Sequence, residues 1–311
     1  MSELHIEKIV NKYSLDMRDS YLAFDKIQHF SCDSMPDPEK IYAIIGMLFE
    51  VLYPGYFCDV KKDQLESFIT DRLSRISLGL YGKIFQYLKC DSDIDPEKLK
   101  VRALEITDEF IGSLPGLREK LLLDAMAAFK GDPAAEGTAE IIYSYPGTIA
   151  IGTYRLANIL WKLGVPLLPR IMTEWAHSKT GVDCHPGATI NAGFFIDHCT
   201  GVVIGETAIV GDNCKLYQGV TLGAVSFPHD EKGNIIRGQK RHPTLEDEVV
   251  VYSNASILGN VTIGKGTTVG GGVFLTRSVP PGSIVSNKPA ELHYRNGCDP
   301  LKRGYISDFQ V

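Results

Sequence analysis

The sequence predicts an α + β protein in which an N-terminal α-helical domain precedes a parallel β-helix of hexapeptide repeats. The main observation is one stretch with an aliphatic residue at every sixth position, namely Leu245, Val251, Ile257, Ile263, Val269 and Leu275. A period of six matches neither an α-helix, with about 3.6 residues per turn, nor the simple alternation of a strand. Each unit is therefore predicted to form one short strand and one turn, with the aliphatic side chain pointing inward.

The sixfold phase recurs in two shorter runs upstream, which are offset from each other by a two-residue insertion. Their aliphatic residues are Ile204, Val210, Leu216 and Leu222 in one run and Ile190, Ile196 and Val202 in the other. The β-helix is therefore predicted to begin near Gly181. One coil cannot cover its own apolar interior, so we expect other structure to cap the exposed end.

The first half of the chain lacks the sixfold pattern and carries helix signals instead. Asp37-Pro38-Glu39 and Asp95-Pro96-Glu97 each place a capping carboxylate before a proline at the first helical position. Amphipathic segments predict helices over residues 41–51, 99–111, 117–129 and 149–163. We assign residues 1–175 to a helical domain for capping and oligomerisation, 176–290 to the β-helix and 291–311 to a C-terminal tail.

Length, charge and cysteine content narrow the functional classes. The chain has 311 residues, enough for about two domains, and its net charge of -6 argues against nucleic acid as a partner. No apolar run approaches the roughly 18 to 20 residues of a membrane span, and the N-terminus is too charged for a signal peptide, so we expect a cytoplasmic protein. Seven cysteines without a C-x-x-C pair favour reduced thiols over disulfides or a zinc site.

Histidines concentrate in and beside the repeats, where five of the eight lie between His177 and His242. They form no close pair at metal-ligand spacing, so we predict no metal. The motif segments in this region are Asp183-Cys184-His185-Pro186-Gly187-Ala188, Asp197-His198-Cys199-Thr200-Gly201, Tyr217-Gln218-Gly219-Val220-Thr221-Leu222-Gly223 and Arg241-His242-Pro243. Together they resemble the serine O-acetyltransferase family, over residues 181–290 and more weakly through Asp132-Pro133-Ala134 and Tyr154-Arg155.

The resemblance implies a left-handed parallel β-helix of triangular section with three hexads per coil. It also implies homotrimers, or two trimers joined as a hexamer, with active sites between neighbouring subunits. The implied reaction transfers the acetyl group of acetyl-CoA to the hydroxyl of L-serine and gives O-acetylserine for cysteine biosynthesis. The hand of the helix comes from the resemblance alone, since the general preference for right-handed crossovers would favour the opposite.

A serine hydroxyl is a poor nucleophile at neutral pH and needs a general base, and imidazole titrates in the required range. By resemblance the base is His198, and Asp183 accepts the other ring N–H to fix the tautomer. The two residues are fifteen positions apart, slightly under one coil of three hexads, so adjacent coils could bring them together. A structural histidine bonded to a backbone carbonyl is the alternative for His198.

The substrate carries an ammonium and a carboxylate, which call for an anion and a cation in fixed positions. By resemblance Asp132 and Asp197 face the amine and hydroxyl side of serine, and Arg241 and His242 receive its carboxylate. The alternatives are a helix-capping role for Asp132, a turn role for Asp197 and a solvated loop position for Arg241. The family alignment further implies that the pantetheine arm lies against three small residues, Gly223, Ser253 and Gly271.

Three other readings stay open at this point. Cys184 and Cys199 flank the two supposed catalytic residues and would allow acyl transfer through a cysteine, although Cys199 should face away from His198. A hexapeptide acyltransferase acting on a sugar or xenobiotic hydroxyl would share His198 but would not need Arg241 and His242. A non-catalytic partner that regulates cysteine synthase is the third alternative.

The sequence departs from the family pattern at several places. Asn158 stands where the Tyr-Arg-x-Ala-His pattern usually has histidine, and residues 224–240 form a polar break in the repeats that is either a surface insertion or a cover for the substrate site. The C-terminus is Val311, where family members often carry an isoleucine that binds O-acetylserine sulfhydrylase. From the resemblance we also expect cysteine to act as a feedback inhibitor in the serine pocket.

Overall fold

The computed structural model describes residues 3–24, 37–90 and 94–288. Within these residues the N-terminal half is helical, and the chain changes from helix to strand between Thr180 and Asp183. The helices are α1 Glu3–Ala23, α2 Pro38–Leu52, α3 Leu65–Cys90, α4 Pro96–Gly131, α5 Thr138–Ser144, α6 Pro146–Lys162 and α7 Leu168–Thr180. Among these helices, none combines the length and the hydropathy of a membrane-spanning segment.

The predicted helix starts at the two Asp-Pro-Glu segments are confirmed. The Asp37 carboxylate accepts a hydrogen bond from the backbone N–H of Glu39 at 3.0 Å, and Asp95 does the same for Glu97 at 3.2 Å. In both helices proline follows the cap, where the missing N–H has no intrahelical partner to lose.

The prediction of two separate helices over residues 99–111 and 117–129 is wrong, because α4 runs through both. Pro115 lies inside it, and a proline removes one intrahelical hydrogen bond. The buried stripe continues on both sides of the proline through Phe110, Leu114, Leu117 and Leu121. Packing of this stripe against the helical core therefore outweighs the cost of the proline.

The second half of the described chain forms fourteen short strands, each followed by a turn. They are β1 Asp183–Cys184, β2 Thr189–Ile190, β3 Phe195–Ile196, β4 Val203–Ile204, β5 Ile209–Val210, β6 Lys215–Leu216, β7 Thr221–Gly223, β8 Thr244–Leu245, β9 Val250–Val251, β10 Ser256–Leu258, β11 Thr262–Ile263, β12 Thr268–Val269, β13 Phe274–Leu275 and β14 Ile284–Val285. All pairings between them are parallel, and they make three sheets. Sheet A contains β1, β4, β7, β10 and β13, sheet B contains β2, β5, β8 and β11, and sheet C contains the rest.

The register shows where the coils depart from three hexads. Val203 pairs with Thr221, a coil of 18 residues, but Asp183 pairs with Val203, a coil of 20. Successive strands of this first coil begin at positions 183, 189, 195 and 203, so the two extra residues lie between β3 and β4. The insertion inferred from the sequence therefore forms the corner that joins sheet C to sheet A.

The interior of the β-helix is the predicted aliphatic ladder. Leu245, Val251, Ile257, Ile263 and Val269 are each at most 1% exposed. Burial of one such side chain contributes about 1.5 to 3 kcal/mol. Because the ladder repeats in every coil, the sixfold sequence pattern results from the packing of this core.

Side chains of the helical domain cap the free edge of the first coil. Sheet B ends at β2, and among the described residues no further strand pairs with its outward carbonyls. Tyr154 donates its hydroxyl to the Ala188 carbonyl at 2.6 Å, and Asn158 donates to the carbonyls of Pro186 and Ala188 at 2.7 and 2.9 Å. The residue that departs from the family pattern at position 158 thus satisfies two backbone acceptors.

Arg155 completes this cap and ties the two domains together. Its guanidinium donates to the Ile190 and Asn191 carbonyls at 2.9 and 2.6 Å and to both carboxylate oxygens of Asp124 at 2.7 and 2.9 Å. Asp124 also accepts from the backbone N–H of Phe194 at 2.9 Å. The pair is buried, with the Arg155 side chain 4% exposed, so one ion pair joins α4, α6 and the first coil.

Candidate active site

The two-residue insertion forms a strained turn that carries His198. His198 and Cys199 have φ angles of 59° and 65°, in the left-handed region that non-glycine residues rarely adopt. Cys199 donates its N–H to the Asp197 carbonyl and Thr200 donates to the His198 carbonyl, both at 2.7 Å. Such bonds across one residue at positive φ define the rare, strained form of the γ-turn, and strain of this kind concentrates at functional sites.

This turn sends two consecutive side chains in opposite directions. The His198 side chain is 69% exposed on the outside of the corner, whereas Cys199 is fully buried in the interior. Burial raises the pKa of Cys199 to about 12 and also raises the pKa of Cys184. Neither thiol is therefore suited to accept an acyl group, and His198 is the accessible reactive group of the turn.

Two carboxylates lie at the same corner as His198. Asp197 places one oxygen 3.7 Å from His198 Nε2 and the other 3.8 Å from Lys215 Nζ. Asp132 ends α4, and its carboxylate accepts from the Tyr145 hydroxyl at 2.6 Å. The structure thus brings together three of the residues that the sequence analysis assigned to the base and the amine side of serine.

The hydrogen bonds of Asp132 keep it ionised. The Tyr145 hydroxyl lowers the pKa of this carboxyl, the backbone N–H of Ala134 adds to the effect, and the charges of Lys215 and His198 act in the same direction. The same bond raises the pKa of Tyr145 to about 12, so the phenol stays a donor. The alternative role for Asp132, a cap of the next helix, is wrong, because the N-cap residue of α5 is Gly137; Asp132 instead terminates α4, where its N–H donates to the Ala128 carbonyl at 2.9 Å.

Asp183 lies apart from His198 in the single chain. It pairs with Val203, five residues beyond the imidazole, and among the residues that the structure describes no hydrogen bond or ion pair joins it to His198. Its carboxylate instead lies within 4.8 Å of ligand atoms of Glu174 and His177. The role of Asp183 as the orienting partner of the base therefore stays a prediction.

Arg241 and His242 lie just before β8 and pack on the turn that follows β4, at the other edge of sheet A, where its strands end. The Arg241 guanidinium pairs with Glu206 at 2.5 Å, and His242 Nδ1 accepts from the backbone N–H of Thr207 at 3.1 Å. The imidazole lies against Gly205, where a Cβ atom would overlap the ring. Only glycine fits at that position, so the turn fixes the ring orientation.

The protonation state of His242 follows from these contacts. Burial lowers its pKa to about 4, and the charge of Arg241 contributes. Because Nδ1 accepts a hydrogen bond from a backbone N–H, the proton of the neutral ring is on Nε2. His242 therefore offers a neutral N–H donor next to a guanidinium, a combination suited to binding a carboxylate.

The two groups of residues lie at opposite edges of sheet A in one chain. The His198 group lies at the corner where the strands of this sheet begin, and the Arg241 group lies at the corner where they end. Gly201 ends the His198 turn and Gly205 lies against the His242 ring, so the strand between them spans about 13 Å at roughly 3.3 Å per residue. Within the described part of the chain no hydrogen bond or ion pair links the groups. One chain thus holds two partial sites.

The residues assigned to the acyl carrier divide between the same two edges. Ser253 and Gly271 stack on the His198 corner, since Gly272 donates its N–H to the Ser253 carbonyl at 2.9 Å and a Cβ atom on Gly271 would lie 3.3 Å from that oxygen. Gly223 ends β7 at the Arg241 edge. Their role in cofactor binding stays a prediction.

The loop of residues 224–240 leaves the β-helix at the Arg241 edge. His229 and Ile235 form an antiparallel bridge, and Asp230 accepts from the backbone N–H groups of Lys232 and Asn234 at 2.9 and 2.8 Å. At its end Lys240 donates to the Thr207 carbonyl at 2.5 Å. The loop is thus a small hairpin anchored beside the carboxylate-binding residues.

Sequence reasoning missed two members of the His198 corner, Tyr145 and Lys215. Tyr145 precedes Pro146, which signals only a helix start, and Lys215 occupies an ordinary outward strand position before the buried Leu216. No motif marks either residue. Tyr145 reaches the site through the packing of the helical domain on the β-helix, whereas Lys215 lies beside Phe195 in the register of β3 and β6.

The chain is similar to known hexapeptide-repeat transferases. The family model for the bacterial transferase hexapeptide (six repeats) matches residues 242–277. A plasmid serine acetyltransferase of Synechococcus elongatus is 46% identical over 260 residues, covering 81% of this chain and 82% of that protein. The crystal structure of Entamoeba histolytica serine acetyltransferase 1 in complex with L-cysteine is 35% identical with a TM-score of 0.70, covering 82% of this chain and 90% of that one.

A more distant solved structure, Neisseria gonorrhoeae serine acetyltransferase in complex with serine, is 26% identical with a TM-score of 0.53 and covers 85% of this chain and all of that one. The predicted fold class, a helical domain followed by a left-handed parallel β-helix of hexapeptide repeats, is confirmed by these relatives together with the three parallel sheets. The chain therefore belongs to the serine acetyltransferase family.

Proposed function

We propose that the chain transfers the acetyl group of acetyl-CoA to the hydroxyl of L-serine and so supplies O-acetylserine for cysteine biosynthesis in the cytoplasm. The observation that supports this most is the exposed imidazole of His198 in a strained turn, with the Asp197 and Asp132 carboxylates at the same corner. Relatives at up to 46% identity carry the name serine acetyltransferase.

In this proposal His198 acts as a general base on the serine hydroxyl. It takes the hydroxyl proton as the oxygen attacks the thioester carbonyl, and the imidazolium returns the proton to the leaving thiolate of CoA. General-base assistance of this kind contributes about 10²- to 10⁴-fold. Transfer is direct, because the buried thiols of Cys184 and Cys199 have raised pKa values. We propose that Asp183 orients the base in the assembled enzyme.

Serine is held by its two charged groups. Asp132 and Asp197 attract the ammonium on the side of the base, and Arg241 with the neutral N–H of His242 receives the carboxylate. These pairs lie at opposite edges of sheet A, so we infer that a neighbouring copy supplies the second pair. A homotrimer, alone or doubled into a hexamer, would build three such interfaces per ring.

Acetyl-CoA would follow the corner above His198. Ser253 and Gly271 lie on that corner in later coils and leave the backbone accessible, whereas Gly223 belongs to the edge contributed by the neighbour. The thioester would then reach the base from the C-terminal side. The reaction as proposed uses no metal.

Regulation by the end product follows from the same recognition. Cysteine shares the ammonium and carboxylate of serine and replaces the hydroxyl with a thiol, so we propose that it competes for the pocket. The relative from Entamoeba histolytica was solved with L-cysteine. We also propose O-acetylserine sulfhydrylase as a partner of the tail that ends at Val311, which lies outside the described residues.

The test is an assay of CoA release from acetyl-CoA with serine, and with a sugar as the comparison acceptor. We expect release with serine only, and His198→Ala should lower kcat by about 10²- to 10⁴-fold with assembly unchanged by size-exclusion chromatography. His5→Ala, on the exposed face of α1, is the matched control and should keep the wild-type rate. A wild-type chain inactive with serine, or a His198→Ala variant at full rate, would contradict the proposal.

A further inference from the structure

Lys215 is a cation at the His198 corner to which the proposed reaction gives no role. Its ammonium donates to the Gly131 carbonyl at 2.6 Å and lies 3.8 Å from an Asp197 carboxylate oxygen. It also lies over two aromatic rings, 4.9 Å from the centroid of Phe195 and 4.4 Å from that of Tyr217. The side chain is 15% exposed, so the charge is held between these four groups.

The bond to Gly131 fixes the position of a substrate-binding carboxylate. Gly131 is the last residue of α4, and the next residue along the chain is Asp132. A Cβ atom on Gly131 would lie 3.1 Å from the Phe195 ring, so the helix end is packed directly on β3. Lys215 on β6 thus ties the helical domain to the β-helix within one residue of Asp132.

The charge of Lys215 balances one of the two aspartates. Asp132 and Asp197 contribute two negative charges to the corner, and Lys215 contributes one positive charge. The remainder of one negative charge matches a single substrate ammonium. Without Lys215, two carboxylates would face the imidazole with no fixed cation to oppose them, and like charges at short distance destabilise each other.

We propose that Lys215 is a positioning residue for the acetyl acceptor, which fixes Asp132 relative to Asp197 and leaves the corner one net negative charge for the amino group. The inference rests on the proposed function. Lys215 acts through the two aspartates, because its own ammonium is taken up by a carbonyl, a carboxylate and two aromatic rings.

Three substitutions separate the hydrogen bond from the charge. Lys215→Met removes both, Lys215→Gln keeps a donor for the Gly131 carbonyl without the charge, and Lys215→Arg keeps the charge. Lys130→Met, an exposed lysine in the last turn of α4, removes the same charge from the same helix end and is the control. The measurements are kcat and KM for serine and for acetyl-CoA, the pH profile of kcat/KM, and size-exclusion chromatography.

We expect Lys215→Met and Lys215→Gln to lower kcat/KM for serine by about 10- to 100-fold while the KM for acetyl-CoA stays within about twofold. The acid limb of the profile should move to higher pH, because the corner keeps the Asp132 and Asp197 carboxylates and loses the ammonium that opposes them. The phenols of Tyr145 and Tyr217 and the Glu140 carboxylate are further titratable groups around this corner, and Asp183 joins them in the proposed assembly. Lys215→Arg should restore most of the wild-type profile, and Lys130→Met should match the wild type.

Two results would overturn the inference. One is wild-type serine kinetics and an unshifted profile in the Met and Gln variants. The other is an equal loss for serine and acetyl-CoA with the profile unchanged, as expected for a purely structural lysine. If Lys215→Met does not fold, the Gln variant decides by the same criteria. A wild-type chain that releases no CoA with serine would instead refute the proposed function.

Discussion

Replacing Arg155 with methionine is expected to destabilise the junction between the two domains strongly. Arg155 donates four hydrogen bonds there, two to Asp124 and two to the otherwise unpaired carbonyls of Ile190 and Asn191. Removing one partner of a buried pair leaves an uncompensated charge, which costs about 3 to 5 kcal/mol. We expect Arg155→Met to lower the unfolding free energy by about that amount.

The loss of unfolding free energy in Arg155→Met should also depend on pH. Burial raises the pKa of Asp124, and Arg155 is the main group that opposes this. In the variant the folded carboxyl therefore binds a proton at higher pH than the unfolded one, which titrates near about 4. The unfolding free energy of the variant then falls as pH rises from the unfolded pKa of Asp124 to its higher folded pKa. The stability lost relative to the wild type should therefore be smaller at low pH than at neutral pH.

The assay is urea denaturation followed by circular dichroism, at equal protein concentration because the proposed association would also contribute to stability. Arg75→Met, which breaks an exposed pair with Asp71 on α3, is the matched control and should cost less than about 1 kcal/mol. Arg155→Met/Asp124→Leu should recover only part of the loss, since the Ile190 and Asn191 carbonyls stay unpaired. A cost for Arg155→Met no larger than that of the control would refute the reasoning.

Two further predictions concern the site. Cys199→Ala should keep intersecting initial-rate lines and lose only about 1 kcal/mol of stability, because the thiol packs inside the β-helix. Parallel initial-rate lines in the wild type would instead indicate an acyl-cysteine intermediate. For His242, the folded pKa of about 4 lies below the unfolded value of roughly 6.5, so the unfolding free energy should fall as pH decreases through that interval. His242→Gln should flatten this dependence in urea denaturation at pH values on either side, and an unchanged slope would argue against the assigned ring environment.

The sequence predicted the β-helix well because its core is built from local repeats. The aliphatic residue at every sixth position from Leu245 to Val269 is buried. The two-residue insertion lies where the sixfold repeat changes phase in the sequence. The helical domain was predicted less well. Separate helices were predicted over residues 99–111 and 117–129, but an apolar stripe continuous on both sides of Pro115 holds α4 together, and such long-range packing is not visible in local sequence.

Some residues of the candidate site were likewise predicted from the sequence and others were not. His198, Asp197 and Asp132 were found through motifs, and the structure brings them to one corner. Tyr145 joins them because the helical domain docks on the first coil, which local sequence does not show. Lys215 pairs with Phe195 in the register of sheet C, and the 20-residue length of the first coil that places it there was not predicted. The Asp183 contact was inferred from the family resemblance and stays a prediction; the coil that contains it has 20 residues rather than the 18 of three hexads.

The separation of the two partial sites by a strand of sheet A has a consequence for how activity depends on concentration. Under the proposed assembly a solitary chain has no complete catalytic centre. Its general base lacks an adjacent site for the carboxylate of serine, and its carboxylate-binding residues lack an adjacent base. A closed ring of three chains completes three centres. Turnover is then tied to subunit association, and dilution below the dissociation constant of the ring would silence the enzyme without unfolding any chain.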